Sequence, residues 1–428
     1  MKNFYSFEDE QNIPVEKRFQ HYQEKLKAEI KSRPNKKEIN EKIIFSEGAT
    51  FFIDSYMTTE EHNKLEQELG KDGIWFHPLC SNSEIKRILN PQTSSDILLK
   101  KRAEYIVDRT RTRRVFKKRK EIYECNEKVW SLTDYYNRDK HFSKYLNKLK
   151  PYVKKRCKLV EAGFVFMTEP NGRCEKTDFG NIIYLSESLS YFLQFMNLSM
   201  LTFQGENIGI GTRESLLIGL RVMLGVEALD FDLDPRYDTL PEDVIQANND
   251  LVNYQLMFIV GHEYAHHSLG HLNNSKCVDI ASTDNVTKEK HIQKVYNYSQ
   301  KQEFEADFFS FKNAKLNKDE KTEMLNGAFL FFIYIDIYNY VRSYIFPSSL
   351  DKKTHPEPLD RLWKLRRNIK KSIGYSKKEL ELFIEDAQEY KDILRKDKLP
   401  YNPELFESYG SIYLSGYKTK RMIDRIDF

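Results

Sequence analysis

Val260-Gly-His-Glu-Tyr-Ala-His-His-Ser-Leu-Gly-His271 is the stretch on which the reading of this chain turns. His262 and His266 are four positions apart, so on a helix they differ by about 40° and one turn of rise. Two imidazoles so placed can reach one Zn²⁺ from the same face, and Glu263 lies beside them to act as base toward an activated water. Leu256-Met-Phe-Ile-Val260, just upstream, is apolar on every side, as expected of a helix that runs through a core. The same string would also serve as a satisfied pair of core or surface histidines, so the case for a metal needs a third ligand from elsewhere.

Gln302-Glu-Phe-Glu-Ala-Asp-Phe-Phe309 offers one. Glu303 and Asp307 again stand at i and i+4 on one helical face. A carboxylate from this second helix would complete a two-His, one-Glu site with an open fourth position, and Asp307 could accept the free N–H of a ligating histidine. Glu305 faces away from that side and is the weaker candidate. His271 suggests a competing site, because metzincins take a third histidine from HExxHxxGxxH. Here that position is Leu272, and His271 would lie about 180° from His262 on a continuous helix, so the competing site needs a break at Gly270. His267 and His271 are therefore read as polar-surface or rim residues.

A third string, Thr354-His-Pro-Glu-Pro-Leu-Asp-Arg-Leu362, reads alone as a loop entering a helix, with Pro356 and Pro358 setting the entry. Taken together, His262-Glu263-x-x-His266, Glu303-x-x-Ala306-Asp307 and His355-Pro356-x-x-x-x-Arg361 occur in an order that resembles the gluzincin metallopeptidases of the HtpX and CAAX prenyl protease type. The resemblance spans roughly residues 160–370. It implies a zincin-like catalytic domain with Glu303 as the third zinc ligand, Asp307 supporting the site, His355 stabilising the oxyanion and Arg361 bracing the site through Asp307. It also implies that the strand Asn181, Ile182, Ile183, Tyr184, Leu185 is the edge strand that receives a peptide substrate. Members of this group are often membrane-embedded, whereas the most apolar stretch here, Leu325–Phe346, is interrupted by Asp336, Asn339 and Arg342 and reads as a buried helix rather than a membrane span. Residues 1–150 and the segment Leu201–Asp250 have no counterpart in a minimal catalytic domain.

Working outward, the 428 residues carry 68 Lys+Arg against 64 Asp+Glu, a balance that does not mark a nucleic-acid binder. Patterns are mostly helical from Leu216 onward, with a polar connection over Asn273–Lys290. Leu159–Met167 and Asn181–Leu185 read as strands around a Pro170-Asn171-Gly172 turn. The expected class is α+β, predominantly helical, with a small sheet and an active-site helix. We divide the chain into a charged, mostly helical region at 1–150 with a surface helix near residues 20–33, a zincin-like domain at 151–375, and a helical extension at 376–428. The five cysteines are scattered without a CxxC pair and the N-terminus has no apolar signal core, which points to reduced thiols and a cytoplasmic protein.

The expected activity is hydrolysis of protein or peptide substrates with Zn²⁺, a metal that suits a two-His, one-carboxylate site. Two other readings stay open. Lys100–Lys120 holds eleven basic and two acidic residues and could neutralise phosphates, with Tyr105 and Phe116 stacking on bases. Its plainer reading is a solvated helix face paired with neighbours such as Glu121 and Glu124. A zinc-bound sensor or interaction protein without turnover would also use the histidines, but it has no use for Glu263.

Overall fold

The computed structural model describes residues 39–44, 50–54, 59–107, 110–123, 125–138, 140–167, 172–201, 212–227, 229–231, 236, 240–274, 276–283, 290–297, 299–346, 356–401, 404–407, 410–414 and 422–424. The surface helix expected near residues 20–33 lies outside them, as does Glu124. The chain forms two compact units, Met1–Ile74 and Trp75–Phe428. In the first, β1 (Ile39–Ile44) and β2 (Thr50–Asp54) pair antiparallel in a region expected to be mostly helical. Helix α1 (Thr59–Phe76) begins there, and Gly70 interrupts it with a φ of 75°.

The second unit carries the rest. Four helices lead in: α2 (Asn82–Leu89), α3 (Ser94–Val107), α4 (Thr110–Ile122) and, after two short turns, α5 (His141–Lys148), followed by α6 (Pro151–Cys157). Strands β3 (Glu161–Val165), β4 (Gly172–Thr177) and β5 (Gly180–Ser186) make the small sheet. The order is β3-β5-β4, with β5 parallel to β3 and antiparallel to β4. Ile182 and Tyr184 pack with Leu98, Val165 and Met167 on one face. The period of two turns Ile183 and Leu185 to the other face, toward the long helix described next.

The helical body follows: α7 (Glu187–Met200), α8 (Thr212–Leu224) and α9 (Glu242–Ser268). The 27 residues of α9 span about 40 Å. Glu242 and Asp243 in its first turn match the positive end of the helix dipole. Its middle, Leu256 to Val260, is buried apart from the partly buried Met257. The chain then makes a hairpin of β6 (Lys276–Thr283) and β7 (Lys290–Asn297), where the sequence reads as a polar connection. Helices α10 (Gln300–Lys312), α11 (Lys318–Ile345), α12 (Pro358–Asn368) and α13 (Lys377–Ile393) complete the body. The described residues are thus predominantly helical, with one small mixed sheet and three two-stranded antiparallel pairs.

Helix α11 is long and apolar enough to cross a bilayer, yet 67% of its apolar window is buried in the protein. It packs against α9, α12 and α13, which gives its Phe and Ile side chains partners without lipid. Gly261 in α9 lets α5 approach: a Cβ there would lie 2.8 Å from the Tyr145 ring. Part of the segment 201–250 also has a structural role. Arg221 of α8 is fully buried and donates to Glu227 Oε2 at 2.8 Å, and Arg236 stacks on Tyr413 of the C-terminal segment.

The basic run is not a solvated face throughout. Arg102 is buried, donates through Nε to the Phe164 carbonyl at 3.0 Å, and lies 4.3 Å from the Tyr136 ring. Lys101 pairs with Glu175 at 3.1 Å and the buried Arg119 stacks on Tyr135 at 4.3 Å. Phe116 is 1% exposed, so it meets no base without leaving the core, and Tyr105 packs against the sheet cluster. Lys117 faces Glu121 at 3.7 Å, as expected for the outer part of the helix.

Candidate metal centre

Helix α9 delivers His262 and His266 to one spot, and α10 brings Glu303 to meet them. The two Nε2 atoms are 3.0 Å apart; the Glu303 carboxylate lies 3.6 Å from His262 Nε2 and 3.4 Å from His266 Nε2. Donors bound tetrahedrally to zinc at about 2.0–2.2 Å stand about 3.3–3.6 Å from one another. The observed spacings bracket that range, and all three residues are buried.

The surrounding hydrogen bonds set which nitrogens face inward. His262 Nδ1 lies 2.8 Å from Asp307 Oδ1, so its N–H is directed to the carboxylate and Nε2 is left as the donor to a cation. Arg361, in the first turn of α12, holds Asp307 in turn, with Nε on Oδ2 at 2.9 Å and Nη2 on Oδ1 at 2.6 Å. Its Nη1 lies 3.4 Å from Glu303 Oε2 and its guanidinium sits over the Phe332 ring. Asp307 and Arg361 are thus brought together beside His262. With a carboxylate beside them, two imidazole lone pairs at 3.0 Å repel unless a cation lies among them, whether proton or metal.

Titration follows the same contacts. Burial pushes His266 down to about 3, against the pull of Glu303, so its imidazole is neutral at ordinary pH. Burial also works against charge on His262, but the hydrogen bond and charge of Asp307, with Glu303, outweigh it and raise its value. Asp307 resists burial because Arg361 and His262 hold it ionised, below the usual carboxylate range.

Glu263 is buried, and the first residue of β4 abuts its carboxylate: a Cβ on Gly172 would fall 2.3 Å from Glu263 Oε1. The segment Asn181–Leu185 is not an edge strand. It forms the centre of the sheet, with both sides occupied by β3 and β4. The outer strand of this sheet is β4, which lies beside α9. The sequence does not signal β4, since Gly-Arg-Cys-Glu-Lys-Thr is polar and only Cys174 of it is buried. Asn181 instead holds Nδ1 of His267 at 3.0 Å. His355 lies outside the described residues.

Sequence reasoning also misplaces His271. Gly270 does break the helix, with a φ of 71°, but the turn carries His271 to the far side of His266 rather than to the cation position. His271 is buried, its Nδ1 lies 3.0 Å from His266 Nδ1, and its Nε2 lies 3.4 Å from Glu305 Oε2. The available signal was a glycine directly after a helix C-cap, followed at once by a histidine. No family model, curated protein or solved structure matches this chain.

Proposed function

We propose that the protein is a zinc-dependent endopeptidase of the gluzincin type, built on a zincin-like domain. The observation that carries the reading is the convergence of His262 Nε2, His266 Nε2 and the Glu303 carboxylate within ligand spacing, with Glu263 next in sequence to the first ligand. His262, His266 and Glu303 would hold the ion, leaving a position for solvent and substrate. Zinc bound there would supply Lewis acidity toward a peptide carbonyl and bring the pKa of water down toward about 7. Glu263 would take the proton from the attacking water and pass it to the leaving amine. Asp307 and Arg361 keep His262 in the tautomer that binds. The position of β4 at the sheet margin, beside Glu263, supports an extended peptide as the substrate class, since such segments bind by strand addition.

Glu263 weighs against a sensor without turnover, since a closed structural site needs no base. The burial of Arg102, Arg119 and Phe116 removes much of what the nucleic-acid reading drew on. The test is metal analysis of the full chain with a peptide-library cleavage assay, wild type against Glu263→Gln. The variant should keep stoichiometric zinc while cleavage falls at least about 100-fold. Undiminished cleavage in the variant, or a wild type that takes up no zinc, refutes the proposal.

A further inference from the structure

Behind the ligand pair lies a second pair of side chains. His266 Nδ1 is 3.0 Å from His271 Nδ1, and His271 Nε2 is 3.4 Å from Glu305 Oε2. A neutral imidazole carries one N–H, and two facing nitrogens share one proton between them. If His266 holds it on Nδ1, His271 accepts there and directs its own Nε2–H to the Glu305 carboxylate, which can only accept. His266 Nε2 is then free to donate to a cation. In the reverse arrangement His271 presents a bare Nε2 lone pair to a carboxylate, and the proton of His266 sits on Nε2, where a ligand atom is needed. The first arrangement satisfies all three groups and the second sets two acceptors against each other.

We infer that His271 and Glu305 are positioning residues that fix the metal-binding tautomer of His266, as Asp307 does for His262. Neither touches the cation position. The inference rests on the zinc reading for its purpose, though not for its hydrogen bonds. The sharp turn at Gly270 is what brings His271 back over the end of its own helix. Each ligating histidine thus has its own acidic anchor, both from α10.

The full chain, labelled with ¹⁵N-histidine and free of zinc at pH 7.5, should show His266 protonated on Nδ1. Zinc affinity is then measured by chelator competition. His271→Leu should lose the Nδ1–H signature and bind zinc about 10- to 100-fold more weakly. His271→Gln can still accept from His266 and donate to Glu305, so it should bind within about threefold of wild type. Three results would overturn the inference: an Nε2–H tautomer at His266 in the wild type, a His271→Leu variant that binds zinc as tightly as wild type, or a His271→Gln variant as weak as His271→Leu. A wild type that binds no zinc would end the peptidase reading, while the tautomer measurement would still judge the hydrogen-bond relay.

Discussion

Gly172→Ala should separate catalysis from metal binding. The added Cβ would stand 2.3 Å from Glu263 Oε1, 2.7 Å from its Cδ and 2.5 Å from Leu185 Cδ2. Ordinary contact requires well over 3 Å, so the Glu263 carboxylate must retreat by roughly 1 Å. A 1 Å displacement of a reacting group costs about 10²-fold in rate, equivalent to about 2.7 kcal/mol of barrier. The backbone at 172 is not among the positive-φ glycines, so alanine adds no strain of its own there. The three atoms nearest the added Cβ belong to Glu263 and Leu185 rather than to His262, His266 or Glu303, so zinc content should stay at the wild-type level. The assay compares kcat/KM on a peptide selected from the library with zinc per chain in the same preparation. Full activity, or a loss of activity that merely tracks a loss of zinc, would refute the placement of β4 against the general base.

Asp307→Ala should weaken zinc binding about 10- to 100-fold and destabilise the fold by about 1–3 kcal/mol, because it removes the closer of the two carboxylates that hold the Arg361 guanidinium. Thermal unfolding and chelator competition read the two effects separately. The pH dependence follows from His262, whose folded value is raised above the ordinary 6.5. In the metal-free protein the stability from its contact with Asp307 is fully present below 6.5 and fades as pH rises through the raised value. Zinc competes with that same proton, so its affinity should fall about tenfold per pH unit below the raised value. His266, held at about 3, contributes no slope until far greater acidity. A flat affinity between pH 5 and 8 would contradict this.

Residue order alone made the histidine pair legible. Four-residue spacing fixes two side chains on one face wherever a helix forms, and the same holds for Glu303 and Asp307 on theirs. Such relations are local, and an apolar run such as Leu256–Val260 ensures that the helix is buried. The sheet was only half legible. β3 and β5 stand out as apolar runs, but β4 keeps mostly polar side chains because it is an edge, and the order β3-β5-β4 depends on pairing between distant segments. The basic run misled for a similar reason, since burial of Arg102 and Arg119 depends on aromatic faces and a carbonyl supplied by other elements.

Spacing within each helix therefore determined which atoms could act together: His262 with His266, and Glu303 with Asp307. Only the tertiary structure decided that α10 lies against the end of α9, so that the carboxylate of one completes the imidazoles of the other. It also decided that a glycine turn returns His271 to the back of His266. The physical reason is range, because helical geometry is set by bonds between near neighbours, whereas the meeting of two helices is set by the apolar surfaces they bury together.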